Sequence, residues 1–138
     1  MQLPDRQRPL GHRAPAALQE PPTDLGRQPQ QDRRQRGNAW VNLGYVQIER
    51  GRFTEAVPHP QEALRLLDIE RDRLWHSAAE SNLAIAWAGS GRSAEAMALL
   101  DGLAQRLVPE GDGYEWANYL LNRGRVLLML GDARAACA

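Results

Sequence analysis

Apolar side chains recur every three or four residues through the second part of the chain. The clearest runs are Ala63, Leu64 and Leu67, and then Ala96, Leu99, Leu100, Leu103 and Leu107. This spacing places the side chains along one face of an α-helix. The pattern predicts an all-α fold with helices near residues 33–50, 59–71, 73–90, 94–107 and 114–130, and a short helix after residue 132.

The pattern repeats with a period of 40 residues and without gaps. Four columns align in three copies: Asn42, Asn82 and Asn122; Gly51, Gly91 and Gly131; Ala56, Ala96 and Ala136; and Asp32, Asp72 and Asp112. Self-similarity of this length is typical of stacked helix pairs, in which each pair buries its apolar face only against its neighbours. We expect each glycine to end the first helix of a pair in the left-handed conformation.

Other columns predict how the helices begin and pack. Short polar side chains precede the first helices, at Asp32, Asp72 and Asp112, and the second helices, at Thr54, Ser93 and Asp132, so we interpret them as N-caps. A column of small residues, Gly44, Ala84 and Gly124, predicts a close approach of the second helix. Because proline interrupts helices, Pro58 and Pro60 predict that the second helix of the first copy starts late, near Pro60, or is kinked.

The motifs resemble the tetratricopeptide repeat (TPR) family. In the first copy the resemblance lies in Ala39-Trp40-x-Asn42-Leu43-Gly44, Gly51-Arg52-Phe53-x-Glu55-Ala56 and Ala63-Leu64. The 40-residue period is similar to that of the longer repeats in bacterial regulators and kinesin light chains. The resemblance implies an α-solenoid of antiparallel helix pairs, a TPR-like right-handed superhelix, with about two and a half repeats. It also implies a module that binds a protein or peptide partner.

The composition divides the chain into two parts. Residues 1–38 hold six of the nine prolines and no aromatic residue. We therefore expect residues 1–31 to be a Pro/Gln/Arg-rich segment that is largely disordered or a degenerate helix, with a loop over residues 21–31. Residues 32–138 are expected to form the repeat domain, truncated in its last repeat as in a fragment of a larger chain. The apolar face left bare at the C-terminal end would favour self-association.

The asparagine column is the main candidate for partner binding. In the family, the first helices line the concave surface, and the resemblance implies that Asn42, Asn82 and Asn122 hydrogen-bond the backbone of an extended peptide there. The alternative is that each amide bonds the neighbouring helix and holds the repeat angle. The side chains expected on the same face are Tyr45, Glu49, Ile85, Gly89 and Arg125, which could supply pockets and charge.

Other residues receive structural interpretations. We expect the four tryptophans to pack between repeats, with Trp75 and Trp116 the more exposed. Arg33, Arg34 and Arg36 form a basic cluster that we interpret as a solvated helix start, with nucleic-acid contact as a distant alternative. An architectural spacer that packs on neighbouring domains and binds no free ligand is the other alternative function.

Charge and residue types limit the remaining functions. Seventeen basic and seventeen acidic residues give no net charge, which argues against a dedicated nucleic-acid binder. The single Cys137 excludes an intrachain disulfide and a Cys-based zinc site. No pair of histidines has metal-ligand spacing, and no phosphate-binding loop is present, so we expect no enzyme, no metal and no cofactor. Without an apolar leader or membrane span we expect a cytoplasmic protein.

Overall fold

The computed structural model describes residues 29–137, with side chains for residues 29–132. Within this range the chain forms helices joined by turns, with no strand. The helices are α1 (Pro29–Glu49), α2 (Phe53–Ala56), α3 (Pro58–Leu66), α4 (Arg73–Gly89), α5 (Ser93–Arg106) and α6 (Gly113–Cys137). The expectations for residues 1–28 lie outside the described residues. Residues 29–31, expected to be in a loop, belong to α1.

The 40-residue period is visible in the helices themselves. α1 ends at Glu49 and α4 at Gly89, while α4 begins at Arg73 and α6 at Gly113. From residue 51 to residue 60, buried and exposed positions follow the same order as from residue 91 to residue 100. The described part of the chain is therefore an all-α repeat of helix pairs. The right-handed superhelix stays a prediction.

Gly51 and Gly91 end the first helices as expected. Their φ values, +75° and +85°, lie in the left-handed region that favours glycine. After α1, the N–H of Gly51 donates to the Ile48 carbonyl at 2.9 Å and the N–H of Arg52 to the Gln47 carbonyl at 2.9 Å. The same pair of bonds follows α4, and this pattern satisfies carbonyls that the helix end leaves free.

Gly131 does not repeat this turn, and the expected separate helix after residue 132 is wrong. α6 runs without a break through Gly131 to Cys137. A reversal after α4 is stabilised by α5, whose Leu100 and Leu103 are buried in the core. Residues 132–138 contain no large aliphatic side chain. Alanine and arginine there favour continued helix, at the cost of about 1 kcal/mol for an internal glycine.

The proline-containing helix is interrupted but does not start late. α2 begins at Phe53, and the interruption lies at Val57, directly before α3. Pro58 and Pro60 fall in the first turn of α3. Backbone N–H groups in a first turn have no acceptor within the helix, so the missing N–H groups of proline cost no helical hydrogen bond there. Pro60 is fully buried in the column of Leu100. A β-carbon at Gly44 would lie 3.1 Å from the Pro60 ring, so this glycine permits the close approach.

The predicted N-caps are wrong at most positions. Arg52 and Arg92 occupy the cap positions of α2 and α5, without a side-chain cap bond. Thr54 and Ser93 lie inside those helices, Asp132 lies within α6, and Asp32 lies in the first turn of α1. Asp72 does stand at the predicted N-cap position of α4, but without a side-chain cap bond.

Asp72 and Asp112 bind the turn before their helices instead of capping them. The Asp72 carboxylate accepts a hydrogen bond from the Asp68 N–H at 2.9 Å, and Asp112 accepts one from the Val108 N–H at 2.9 Å. Each also pairs with an arginine from the preceding first helix, Asp72 with Arg34 and Asp112 with Arg73. The Val108 N–H and then Arg73 hold the pKa of Asp112 below its ordinary value. The acidic column thus joins consecutive repeats.

α4 lies at the centre of the molecule. It packs against α2, α3, α5 and α6, and its residues Ala79 to Ala86 are all buried. One core cluster fills the space between α4, α5 and α6 around Leu100, Leu103 and Val126. A second cluster joins α1, α3 and α4 through four residues, Val41, Ala63, Leu67 and Ala79. The first helices α1, α4 and α6 therefore lie side by side.

Candidate functional site

One face of α1, α4 and α6 forms a groove of about 410 Å³. The thirteen residues that line it are Val41, Asn42, Tyr45, Leu74, Trp75, Ala78, Asn82, Ile85, Tyr114, Asn118, Leu121, Asn122 and Arg125. Most of them occupy repeat columns at i, i+4, i+8 and i+11 along a first helix, as in Leu74, Ala78, Asn82 and Ile85. This spacing keeps side chains on one helix face, so the repeat lays three related stripes next to one another.

The structure brings six of the seven predicted site residues together in this groove. They are Asn42, Tyr45, Asn82, Ile85, Asn122 and Arg125. The seventh, Glu49, does not line the cavity but accepts a hydrogen bond from Arg125, with 2.9 Å between Nη1 and Oε2. Gly89, also expected on this face, contacts the ring of Phe53 instead and does not line the groove.

The three asparagines of the column have different environments. The amide of Asn82 is buried, and its Nδ2 donates to the Val41 carbonyl oxygen at 3.2 Å. This bond joins α4 to α1, as in the structural alternative. The amides of Asn42 and Asn122 make no hydrogen bond within the described part of the chain, and Asn42 is exposed. Each of these two can offer a donor and an acceptor to a ligand.

The apolar part of the groove has a buried floor and exposed walls. Val41 and Ile85 are almost fully buried at its base. Tyr45, Leu74, Tyr114 and Leu121 stand around it with between 42% and 71% of their surface exposed. Exposed large apolar side chains gathered around a concavity are typical of interaction sites. Asn118 also lines the groove and makes no hydrogen bond within the described part of the chain. With these unengaged amides, the groove can hydrogen-bond a backbone and take up apolar side chains.

The sequence interpretation missed the half of the groove nearest the helix N-termini. Leu74, Trp75, Ala78, Tyr114 and Asn118 line it. The signal was available, because Leu74 and Tyr114 share one 40-residue column, two turns before the asparagines. Ala78 and Asn118 share another column, one turn before them. Leu121 and Val41 were missed for another reason: their column lies beside the asparagines and its third member, Ser81, is polar.

A second polar cluster involves the N-terminal half of α4. Buried Glu80 accepts from Arg106 of α5 and lies 3.3 Å from Nδ1 of His76. Burial raises the pKa of Glu80, but the hydrogen bonds from His76 and Arg106 outweigh it, so the pKa lies below its ordinary value of 4.5. Among the described residues no group of His, Cys, Asp or Glu could hold a metal ion. The cluster ties α4 to α5.

The tryptophans and the arginine cluster mostly serve packing. All four tryptophans are partly buried and pack against the two core clusters, which confirms their structural interpretation. All four are half-buried, so the greater exposure of Trp75 and Trp116 stays a prediction; Trp75 also lines the groove. Arg34 pairs with Asp72 at 3.3 Å, so one arginine of the basic cluster bridges consecutive repeats.

The comparison with protein families identifies the repeat. The family profile of the tetratricopeptide repeat matches residues 77–101 and 117–138. Over these two stretches the chain is similar to the tetratricopeptide repeat. The first match covers most of α4 and more than half of α5, and the second covers most of α6. No curated protein and no solved structure matches the chain significantly.

The matched family has a general class of function. Tetratricopeptide repeats are non-catalytic modules that generally mediate protein–protein interaction. By the 40-residue period, α1 to α3 form the first repeat, α4 and α5 the second, and α6 the first helix of the third. The family profile matches parts of the second and third. None of the described helices combines the length and apolar character that a membrane span requires.

Proposed function

We propose that the chain binds an extended peptide or a helix of a partner protein in the groove of α1, α4 and α6. The observation that carries the proposal is the combination of the unengaged amides of Asn42 and Asn122 with exposed apolar walls around a buried floor. Peptide backbones need donors and acceptors at regular spacing, and apolar pockets supply affinity. Asn82 acts in the proposal as a support that fixes α4 against α1.

The finer setting of this module is also a proposal. We place it in a bacterial signalling or transcription-regulatory protein of the cytoplasm, on the basis of sequence resemblance and composition. Residues 32–138 would be the repeat domain. The apolar stripe on the outer face of α6, with Leu120, Leu127 and Leu128 exposed and open space at Gly124, supports self-association through that end as a second contact.

The test compares two double variants. Asn42→Ala with Asn122→Ala removes the two unengaged amides of the asparagine column, whereas Gln61→Ala with Gln105→Ala removes two exposed amides that do not line the groove. Random ten-residue peptides are displayed on phage and selected on each immobilised chain. We expect the wild type and the Gln variant to enrich the same peptides and the Asn variant to lose them by about tenfold or more in affinity.

Circular dichroism must show equal helicity for all three proteins. Enrichment that survives in the Asn variant would contradict the assigned role of the two amides. If no peptide is enriched on the wild type, the chain favours the architectural alternative, in which it packs on neighbouring domains.

A further inference from the structure

The groove contains one charge, and that charge is already paired. Among the described residues that line it, Arg125 alone is ionised at neutral pH. Its Nη1 donates to Glu49, which stands at the end of α1 outside the cavity. The pair connects α1 with α6, the two helices that form the walls of the groove. It lies at the end of the groove opposite Leu74 and Tyr114.

The ion pair is weakly held and easily exchanged. The side chain of Arg125 is 37% exposed and that of Glu49 is 44% exposed, so water screens their attraction and the pair contributes little to stability. A guanidinium has five N–H donors in a planar fork, and Glu49 accepts from one terminal nitrogen. Arg125 can therefore receive a second carboxylate, or exchange Glu49 for it, at small cost.

We infer that the groove selects partner peptides that carry a carboxylate side chain, which takes the place of Glu49 on Arg125. This inference rests on the proposed peptide-binding function and adds the chemistry of the peptide. Glu49 then acts as an internal competitor that holds Arg125 in the unbound state. A basic peptide side chain at this place meets the positive charge of Arg125, and the carboxylate of Glu49 is already paired with that arginine.

The geometry also gives the spacing of the recognised residues. Tyr114 and Arg125 lie on the same helix, eleven residues apart, or about 16 Å along the helix axis. An extended peptide covers that distance in about five residues. We therefore expect an apolar side chain against Leu74 and Tyr114 and an acidic side chain about five residues away, at Arg125. Asn122 and Asn118 lie between these two positions on α6.

The experiment uses the peptides selected on the wild-type chain, with amidated and acetylated ends so that only side chains carry charge. The strongest binder and its twin, in which each Glu or Asp is replaced by Gln or Asn, are titrated against four proteins. These are the wild type, Glu49→Gln, Arg125→Gln, and the control Glu55→Gln, which changes an exposed acid on α2 away from the groove.

We expect acidic residues to be enriched among the selected peptides. Glu49→Gln should bind the acidic peptide about three- to tenfold more tightly, and Arg125→Gln about tenfold more weakly. The neutral twin should bind all four proteins equally, and Glu55→Gln should match the wild type. The acidic peptide and its neutral twin, each measured on the wild type and on Arg125→Gln, form a double-mutant cycle. In that cycle the acidic peptide should lose its advantage in affinity over the twin when Arg125 is replaced.

Two results would overturn the inference while leaving the proposed function intact. One is selection of peptides without acidic enrichment, and the other is an unchanged or weakened acidic peptide on Glu49→Gln. If no peptide is selected on the wild type, the proposed function fails and the inference falls with it.

Discussion

α4 and α6 occupy equivalent places in consecutive repeats, yet they are buried very differently. Two columns agree, since Ala79 and Tyr119 are both buried and so are Ala86 and Val126. In the column that contains Ser81 and Leu121, the serine is 1% exposed and the leucine is 71% exposed. A polar residue is inside and a leucine outside at the same register. Burial in a repeat protein is thus decided by which neighbours are present.

The same comparison explains the small-residue column. Ala84 is fully buried in the core of the second repeat, and Gly44 is packed against α3. A β-carbon at Gly124 would meet no heavy atom within 4 Å among the described residues. The column is therefore a packing feature only where a second helix lies on it. On α6 the same position is part of a surface.

The largest difference is expected for one leucine in each region. Leu100→Ala removes a fully buried side chain from the core between α4, α5 and α6, which should lower the free energy of unfolding by about 3 kcal/mol. Leu128→Ala shortens an exposed side chain on α6. This substitution should change the free energy of unfolding by less than about 0.5 kcal/mol. Urea unfolding followed by circular dichroism measures both. Equal losses would mean that the outer face of α6 is covered in solution.

A second test uses the column of Glu80 and Leu120, which is buried in α4 and exposed in α6. Glu80→Gln should destabilise the chain by about 2 kcal/mol at pH 7, because Arg106 loses its charged partner. The folded pKa of Glu80 lies below the unfolded value of 4.5, so its stabilisation is complete above that value and is lost as the pH falls below it.

Unfolding measured between pH 7 and pH 3 checks the sign. Wild type and Glu80→Gln should approach each other in stability as the pH falls below 4.5. A difference that stays constant or widens on acidification would contradict the role of the Glu80 charge. Leu120→Gln, in the same column of α6, serves as the control and should show no pH dependence.

The smallest effects are expected at two glycines. At Gly89 a β-carbon would collide with the ring of Phe53, so Gly89→Ala should destabilise the packing of α2 on α4 by about 1–2 kcal/mol. At Gly124 the space is open, and Gly124→Ala should stabilise the helix by up to about 1 kcal/mol. Thermal unfolding distinguishes the two signs. Stabilisation by both would show that Phe53 can move aside at little cost.

The candidate site was predictable from the sequence in part. The 40-residue register placed Asn42, Asn82 and Asn122 on one face, because equal positions in stacked helix pairs face the same way. It could not distinguish Asn82 from the others, since the Val41 carbonyl that accepts from Asn82 lies 41 residues earlier in the chain. The ion pair between Arg125 and Glu49 could not be predicted from the sequence for the same reason, because 76 residues separate the two partners.

The helix ends show the same division. The turns at Gly51 and Gly91 were predictable because glycine readily adopts the left-handed backbone conformation, a preference that acts within a few residues. Gly131 has the same local signal but lies within a continuous helix, so the local preference of glycine did not by itself produce a turn. Pro60 was expected to disturb its helix and instead fills the buried place of a leucine, since its ring packs well in a first turn.

The sequence by itself determined the helices, their period and the face on which the asparagines lie, because periodicity and turn preference are properties of neighbouring residues. The tertiary structure decided which members of each column are buried, which amide is engaged and which carboxylate Arg125 holds. Those outcomes depend on contacts between helices that are 40 or more residues apart in the chain. Such contacts follow from packing, which a local pattern cannot specify.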